Sequence, residues 1–474
     1  MAKRKRSKEN RLGEDKELRE EEMKIKIDKF VKEVSQFFKQ KIAEEKARES
    51  GFVERTSKLT GHLFLTVFTF GMSLYGVPTL NQLVGLLSTL ELELDIKREG
   101  LHQRITEKAV KFFEEMLSLV IKLEVPNDVG VKILEGFKRI ILFDSTSFQL
   151  PETLTEYFKG SGGDASPSAI KILFGYDLKG AKFFYLLLNG TDADHLLKSG
   201  IIEEIKENDL EISDLGFFGV ETFAEIAQKE AFYLSRLKSD ATLYQKNEAG
   251  ELEVFDLPEL VKKMKDEQME IKVYLKKNKT IIETRLVIEK VPSQVKAERL
   301  RKLYQRNQKK GHQTKKRTKI LQAVNLHITN APAQFLPANR VRQFYTIRWQ
   351  IELIFKSWKS NFSLDKVTGK RPQRIKCMIY AKLLFIFISS KLISVASALA
   401  WNTLNREVSA FQAAKHILVI GHEWLKNILL QPETVQPLLL NAITFIVSHC
   451  LKPKSKKRLY PLQIVAAIDM EGLT

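Results

Sequence analysis

Two cysteines in 474 residues, Cys377 and Cys450, are too few for a disulfide framework or a cysteine-based zinc site. They stand far apart, each inside an apolar helical pattern, which fits a reducing cytoplasm. Histidine is also scarce, at eight. His195, His312 and His327 are unconvincing as ligands or bases: His312 lies in a basic tract and His327 in a strand-like run, where a structural role is expected. The most apolar window, Leu383 to Trp401, contains Lys391 and several serines, and reads as a buried helix rather than a membrane span. The first residues, MAKRKRSKENR, are followed by EDKELREEE instead of an apolar run, so no secretory leader is expected. The loop YFKGSGGDASPS lacks the Gly-Lys-Ser/Thr ending of a phosphate-binding P-loop and reads as a flexible connection. Internal repeats and low-complexity blocks are absent as well.

What the chain has in excess is positive charge. The net charge is +19 and the isoelectric point about 9.5, which points to a polyanionic partner, most simply nucleic acid. An anionic membrane surface is the competing partner, but no exposed amphipathic anchor stands out. At 44% hydrophobic content the chain can bury a sizeable core, and its length implies two to four domains.

Composition changes along the chain suggest the divisions. Residues 1–55 are highly charged, with Met23, Ile27, Phe30, Val34, Phe37, Phe38 and Ile42 at helical spacing behind a basic tail. Residues 56–130 read as a helical DNA-binding domain: TLNQLVGLLSTL and GLHQRITEKAVKFFEEML suggest a short helix, a turn and a second helix with His, Gln and Arg near its start. Residues 131–238 turn to strands, in the order three strands, helix, strand, helix, strand, which is an α/β core with the element order of a ribonuclease-H-like domain. Residues 239–320 form a β-rich insertion ending in a basic helix with Tyr304 among its lysines and arginines, a candidate for tracking phosphates. Residues 321–375 return to the core, and 376–474 form a helical region suited to protein–protein contacts.

The stretch Pro337 to Asn361, PANRVRQFYTIRWQIELIFKSWKSN, reads as one helix. Phe344, Ile347, Ile351, Ile354, Phe355 and Trp358 form its apolar arc. Tyr345, Arg348, Glu352 and Lys359 fall within roughly 60° of one another on a neighbouring arc. A solvated face with an i,i+4 Arg–Glu pair would look the same. The difference is made by two acids upstream, Asp144 near the end of the first core strand and Asp214 where a later strand meets its helix. Carboxylates at strand ends line the usual crevice of an open α/β sheet. If the helix packs on that sheet, Asp144, Asp214 and Glu352 converge as oxygen ligands for hard divalent cations. Two such ions could activate the attacking oxygen and stabilise the leaving one in an in-line displacement at a DNA phosphodiester. Arg348 and Lys359 would then bind flanking phosphates, and Tyr345 would stack on a base or bond a phosphate, with Trp349 a further DNA-contact candidate.

Tyr345, Arg348, Glu352 and Lys359, separated by two, three and six residues, resemble the Y-R-E-K motif of the DDE transposases of the insertion-sequence-four family. FDSTSFQLP around Asp144 and SDLGFF around Asp214, followed by FYLSRLK, resemble that family's two Asp segments. The resemblance covers roughly residues 60–450 and no catalytic position is missing. It implies a ribonuclease-H-like catalytic core with two Mg²⁺ or Mn²⁺ ions held by Asp144, Asp214 and Glu352. It also implies cut-and-paste transposition of an insertion sequence: DNA cleavage at terminal inverted repeats and strand transfer into target DNA. A homodimer on paired ends, acting in the bacterial cytoplasm at the nucleoid, is further implied. The competing expectation is a catalytically silent regulator or inhibitor of transposition that kept the fold.

Overall fold

A computed structural model describes residues 21–55, 57–89, 96–123, 125, 137–162, 166–178, 182–191, 200–454, 460 and 463. The basic N-terminal tail, the middle of the glycine-rich loop at 163–165, the hairpin tip at 179–181, His195 and the last basic run from residue 455 lie outside them.

Among the described residues ten strands form one sheet in the order β3-β2-β1-β4-β5-β10-β9-β8-β6-β7. They are β1 (Arg139–Gln149), β2 (Ala169–Asp177), β3 (Lys182–Gly190), β4 (Asp209–Ser213), β5 (Phe232–Arg236), β6 (Leu243–Lys246), β7 (Leu252–Val254), β8 (Gln268–Lys277), β9 (Thr280–Lys290) and β10 (Val324–Thr329). β1 pairs antiparallel with β2 and parallel with β4, and β4 pairs parallel with β5. The strands of the expected insertion are not a separate sheet. β9 hydrogen-bonds along β10, so β6 to β9 extend the core sheet outward from β5. Their hairpin turns at Asn278, which adopts φ +54°, as Asn tolerates better than most residues.

Side-chain alternation divides the interior into two cores. Ile140 and Leu142 of β1 and Leu210 and Ile212 of β4 face a large, mostly helical core. Ile141 and Phe143 face the other way, onto a smaller core with Val220, Phe223 and Ile226 of the helix Val220–Gln228. The large core is closed by helices from both ends of the chain. Before the sheet come α1 (21–37), α2 (Gln40–Glu49), α3 (Gly61–Tyr75), α4 (Leu80–Thr89), α5 (Arg98–Gln103) and α6 (Glu107–Lys122). After β4 come α7 (Val220–Gln228), α8 (Leu257–Lys263), α9 (Ser293–Lys309) and α10 (Lys316–Leu321), of which α7, α8 and α10 pack on the smaller core, and then α11 (Ala338–Thr346), α12 (Trp349–Ser360), α13 (Pro372–Leu404), α14 (Ala410–Leu430) and α15 (Val435–His449) on the large one.

Two expectations about helices are corrected. The second helix of the expected helix-turn-helix is two helices, α5 and α6. His102 and Gln103 belong to the short one, while the long one buries Phe112, Phe113 and Met116 in the core. The stretch Pro337–Asn361 is likewise two helices, α11 and α12, with Ile347 and Arg348 between them. There the backbone bonds are of the tighter i→i−3 kind, from Ile347 to Phe344, Arg348 to Tyr345, Gln350 to Ile347 and Ile351 to Arg348. Thr346 and Ile347, both β-branched, sit at the tightening. The axis shifts but the apolar arc survives: Phe344, Ile347, Ile351, Phe355 and Trp358 are all buried and Ile354 partly so.

The apolar window around Leu383 lies in α13, which is long and apolar enough to cross a membrane, but 78% of that window is buried inside the protein. Its two buried lysines make backbone contacts. Lys391 donates to the carbonyls of Ile121 and Leu123, and Lys382 to those of Ser363 and Lys366.

α12 is seated by Trp358, which is 1% exposed and lies edge-on to Phe174 of β2 at 4.8 Å, beside Phe355 and Phe387. Trp358→Ala should therefore cost about 3–5 kcal/mol, lowering the urea midpoint. Trp349→Ala, on the same helix but 55% exposed, should shift it little. Equal small shifts for the two variants would contradict this packing.

Candidate active site

The register of β1 against β4 decides which acids meet. Phe143 pairs with Ser213, the last residue of β4, so the next residues along the two strands, Asp144 and Asp214, stand side by side. Both continue the parity of Leu142 and Ile212 and face the large core, where α11 and α12 pack. Asp209 and Glu211 have the opposite parity: Glu211 is buried on the other face and Asp209 is tied to Arg139. Asp144 does not end its strand, as the sequence suggested. β1 continues to Gln149, and it is β4 that stops, opening the space over Asp144.

Arg348 fills that space. Its guanidinium lies 3.5 Å from Asp144, 3.9 Å from Asp214 and 2.5 Å from Glu352. The tightened turn places Arg348 almost above Tyr345, and the guanidinium sits 5.8 Å from that ring. Two further bonds fix the helices to the sheet. The Tyr345 hydroxyl donates to the Ser213 carbonyl at 3.4 Å, and the Lys359 ammonium to the Ser147 carbonyl at 3.0 Å. So Asp144, Asp214, Glu352, Arg348 and Tyr345 come together, with Lys359 at the rim. Trp349 is exposed, its ring 5.7 Å from the same guanidinium.

A cleft of about 600 Å³ opens beside Asp144 and Glu352, and Lys356, Lys359, Asp365 and Lys366 also line it. Lys356, Asp365 and Lys366 were not singled out from sequence. Lys356 stands four residues after Glu352, so helical spacing could have found it. Nothing in the sequence marks Asp365 and Lys366, whose loop is held over the cleft by Lys382. Of the histidines, His312 is exposed, and His327 is buried with its ring 5.1 Å from that of Tyr345. Burial, helped by Arg236 and Arg342, pushes His327 down to about 3, so it is neutral and no acid or base at ordinary pH.

Burial pushes the Asp144 carboxyl up to about 6; the Ser145 amide and Arg348 oppose this, and Asp214 and Glu352 add to it. Three carboxylates thus face one guanidinium in a partly buried centre. Its donors are all carboxylate oxygens, the set that hard divalent cations take. Among the described residues no three acidic, imidazole or thiol side chains lie close enough to hold an ion as they stand. The donor chemistry fits a divalent metal, while the present spacing fits the guanidinium.

An open α/β sheet with acids at adjacent strand positions, ringed by lysines in a basic chain, is the make-up of an enzyme that works on nucleic acid. Residues 135–388 match the family model described as the transposase DDE domain, and the chain belongs to that family. It is 30% identical over 400 residues to the transposase for insertion sequence element IS231F of Bacillus thuringiensis subsp. israelensis, covering 81% of this chain and 84% of that one. The IS231E transposase of B. thuringiensis subsp. finitimus is 28% identical over 90% of this chain and 92% of its own length. The IS1151 transposase of Clostridium perfringens is 27% identical over 78% and 82%. A piggyBac transposase synaptic complex with hairpin DNA aligns with 89% of this chain and 84% of its own, at TM-score 0.42 and 10% identity, too distant to add to that assignment. The protein is a DNA-cleaving and strand-transferring transposase, and its family implies a divalent metal.

The Asp144 shift has a measurable sign. Between about pH 4 and 6 the folded chain keeps a proton on Asp144 that the unfolded chain has released. The stability this contributes is complete below pH 4 and is lost as pH rises through 6. In the presence of a chelator, raising the pH from 5 to 7.5 should cost wild type about 1–1.5 kcal/mol more than Asp144→Asn, by urea denaturation at each pH. Parallel pH profiles for the two proteins would refute the shift.

Proposed function

We propose that this chain moves an insertion sequence by cut-and-paste transposition, cleaving DNA at the element's terminal inverted repeats and joining the freed 3′ ends to target DNA. The observation that carries this is the convergence of Asp144, Asp214 and Glu352 around one guanidinium beside a lysine-lined cleft. The strand order β3-β2-β1-β4-β5, with β1 to β3 antiparallel and β4 and β5 parallel to β1, supports a ribonuclease-H-like reading of the core. The spacing of Tyr345, Arg348, Glu352 and Lys359 supports placement with the insertion-sequence-four transposases.

Asp144, Asp214 and Glu352 are the residues to hold two Mg²⁺ or Mn²⁺ ions. Such ions supply activation of the attacking oxygen and neutralisation of charge on the leaving one. Arg348 offers a planar fork to a phosphate beside the scissile bond, and Lys356, Lys359 and Lys366 present point charges along the cleft. Tyr345, expected to meet a base or a phosphate, is buried, bonds the Ser213 carbonyl and lies 5.8 Å from the Arg348 guanidinium, so its role here is to support Arg348. Trp349, exposed next to Arg348, offers a face on which a base can stack. A homodimer on paired ends in the cytoplasm, at the nucleoid, completes the proposal, with residues 376–474 as the region of subunit contact and 56–130 as a helical DNA-binding domain.

Glu352→Ala should abolish both cleavage and strand transfer on terminal-repeat DNA with Mg²⁺, while end binding stays within about threefold of wild type. Strand transfer by that variant would end the assignment. Binding without nicking by wild type would favour the silent regulator instead. Lys356→Ala should lower the slope of log affinity against log salt by about one; an unchanged slope would take Lys356 out of the DNA path.

A further inference from the structure

We infer that Arg348 is the resident cation of the acidic centre and gates its metal: the guanidinium keeps the divalent ion out until a phosphate of the bound DNA draws it away. The inference rests on the transposase reading above and deepens it, because it names what couples DNA binding to metal loading.

Four observations carry it. Arg348 touches all three acids at once, so it stands where a cation shared by them would stand. With Arg348 there, no three acidic, imidazole or thiol side chains among the described residues are close enough to hold an ion. A guanidinium and a dication cannot share the space, since like charges at such range repel strongly away from water. The resting place of Arg348 is also incomplete: its Nε is buried without a hydrogen-bond partner, although the fork as a whole is nearly buried. A phosphate, which takes the fork in two parallel bonds, offers what this position does not. Lastly, Arg348 lies on the tightened turn between α11 and α12, and the exposed Trp349 ring stands 5.7 Å from its guanidinium. That ring keeps its cation–π contact with a guanidinium that turns outward from the acids, because it is exposed and already within reach.

The device answers a chemical need. Three carboxylates without a counter-charge would repel one another and the DNA, and a site already loaded with metal would cut any phosphodiester within reach. With Arg348 between the acids, the centre is partly neutralised and can receive DNA, and becomes competent when a phosphate is in place. Because binding couplings are reciprocal, metal must strengthen DNA binding by the factor by which DNA strengthens metal binding.

The test is Mn²⁺ binding by the full chain, read from the free-ion electron paramagnetic resonance signal, with and without a duplex carrying the element's end. Without DNA, Arg348→Gln should bind Mn²⁺ roughly tenfold or more tightly than wild type. Adding the duplex should tighten wild type by more than it tightens the variant. A folded Arg348→Gln, checked by circular dichroism, that binds Mn²⁺ no more tightly than wild type overturns the gate. Should that variant not fold, Arg348→Lys decides: its shorter, single-point ammonium should leave the acids partly free and give an intermediate gain, and no gain overturns the proposal. Absence of Mn²⁺ binding by wild type and variant alike, even with the duplex, would bring down the metal-enzyme reading itself, whereas equal binding would remove only the gate.

Discussion

A single buried guanidinium shared by three carboxylates is the constraint around which the centre of this molecule is built. Burial opposes the charge of Arg348, yet Tyr345, Glu352 and Asp214 outweigh it and hold the group firmly charged. At Asp144 the balance goes the other way: burial prevails over Arg348, and the carboxyl stays above its ordinary range. The two directions agree on one physical picture. Burial is the largest single influence at both groups, and the guanidinium is placed where it faces all three acids. Removing one member of such a set leaves the others buried and uncompensated, which is costlier than the pairing is stabilising.

Everything that positions this set is ordinary folding chemistry carried to a particular register. Parity along β1 and β4 sends Asp144 and Asp214 to the same face. The apolar arc through Phe344, Ile351 and Trp358 lays α11 and α12 on that face, and two side-chain bonds to strand carbonyls, from Tyr345 and Lys359, stop the helices from sliding. α13 works from behind. It is an apolar helix in which Lys382 spans from the core to the loop that follows α12, donating to the Ser363 carbonyl, which also accepts from the Lys366 amide, and to the Lys366 carbonyl. A lysine at 0% exposure is expensive to bury, and this one is placed where it fixes the exit of the helix that carries Glu352.

Much of this was legible in the sequence because it depends on period. The alternation of RIILFD, the 3.6-residue spacing of the Glu352 helix and the spacing of Tyr345, Arg348, Glu352 and Lys359 are all local, and local patterns survive without coordinates. What was not legible depends on pairing across distance or on small backbone adjustments. That β4 stops while β1 runs on, leaving Asp144 in mid-strand, depends on the register between segments about seventy residues apart. That β6 to β9 join the core sheet depends on β10, which comes after them, accepting β9 along its free edge. The tightening at Ile347 and Arg348 has neither Pro nor Gly to announce it, only the neighbouring β-branched pair. The split of the second helix near His102 and Gln103 has the same character.

The contrast between the acidic centre and the basic chain around it bears on how such a site can work at all. A net charge of +19 draws DNA to the surface without regard to sequence, over a range set by ionic strength. Left to that field alone, DNA would settle on the lysines and stay away from the carboxylates. The cleft resolves the conflict by proximity. Lys356, Lys359 and Lys366 stand with Asp144 and Glu352 along one opening, so a backbone lying on the lysines is already beside the acids. Attraction brings the phosphate chain to the rim, and only exchange of cations at the centre can bring one phosphate further in. Long-range affinity and short-range selectivity thus fall to different residues along one short helix and the loop after it, with Glu352 and Lys359 less than two turns apart and Arg348 about one turn before Glu352.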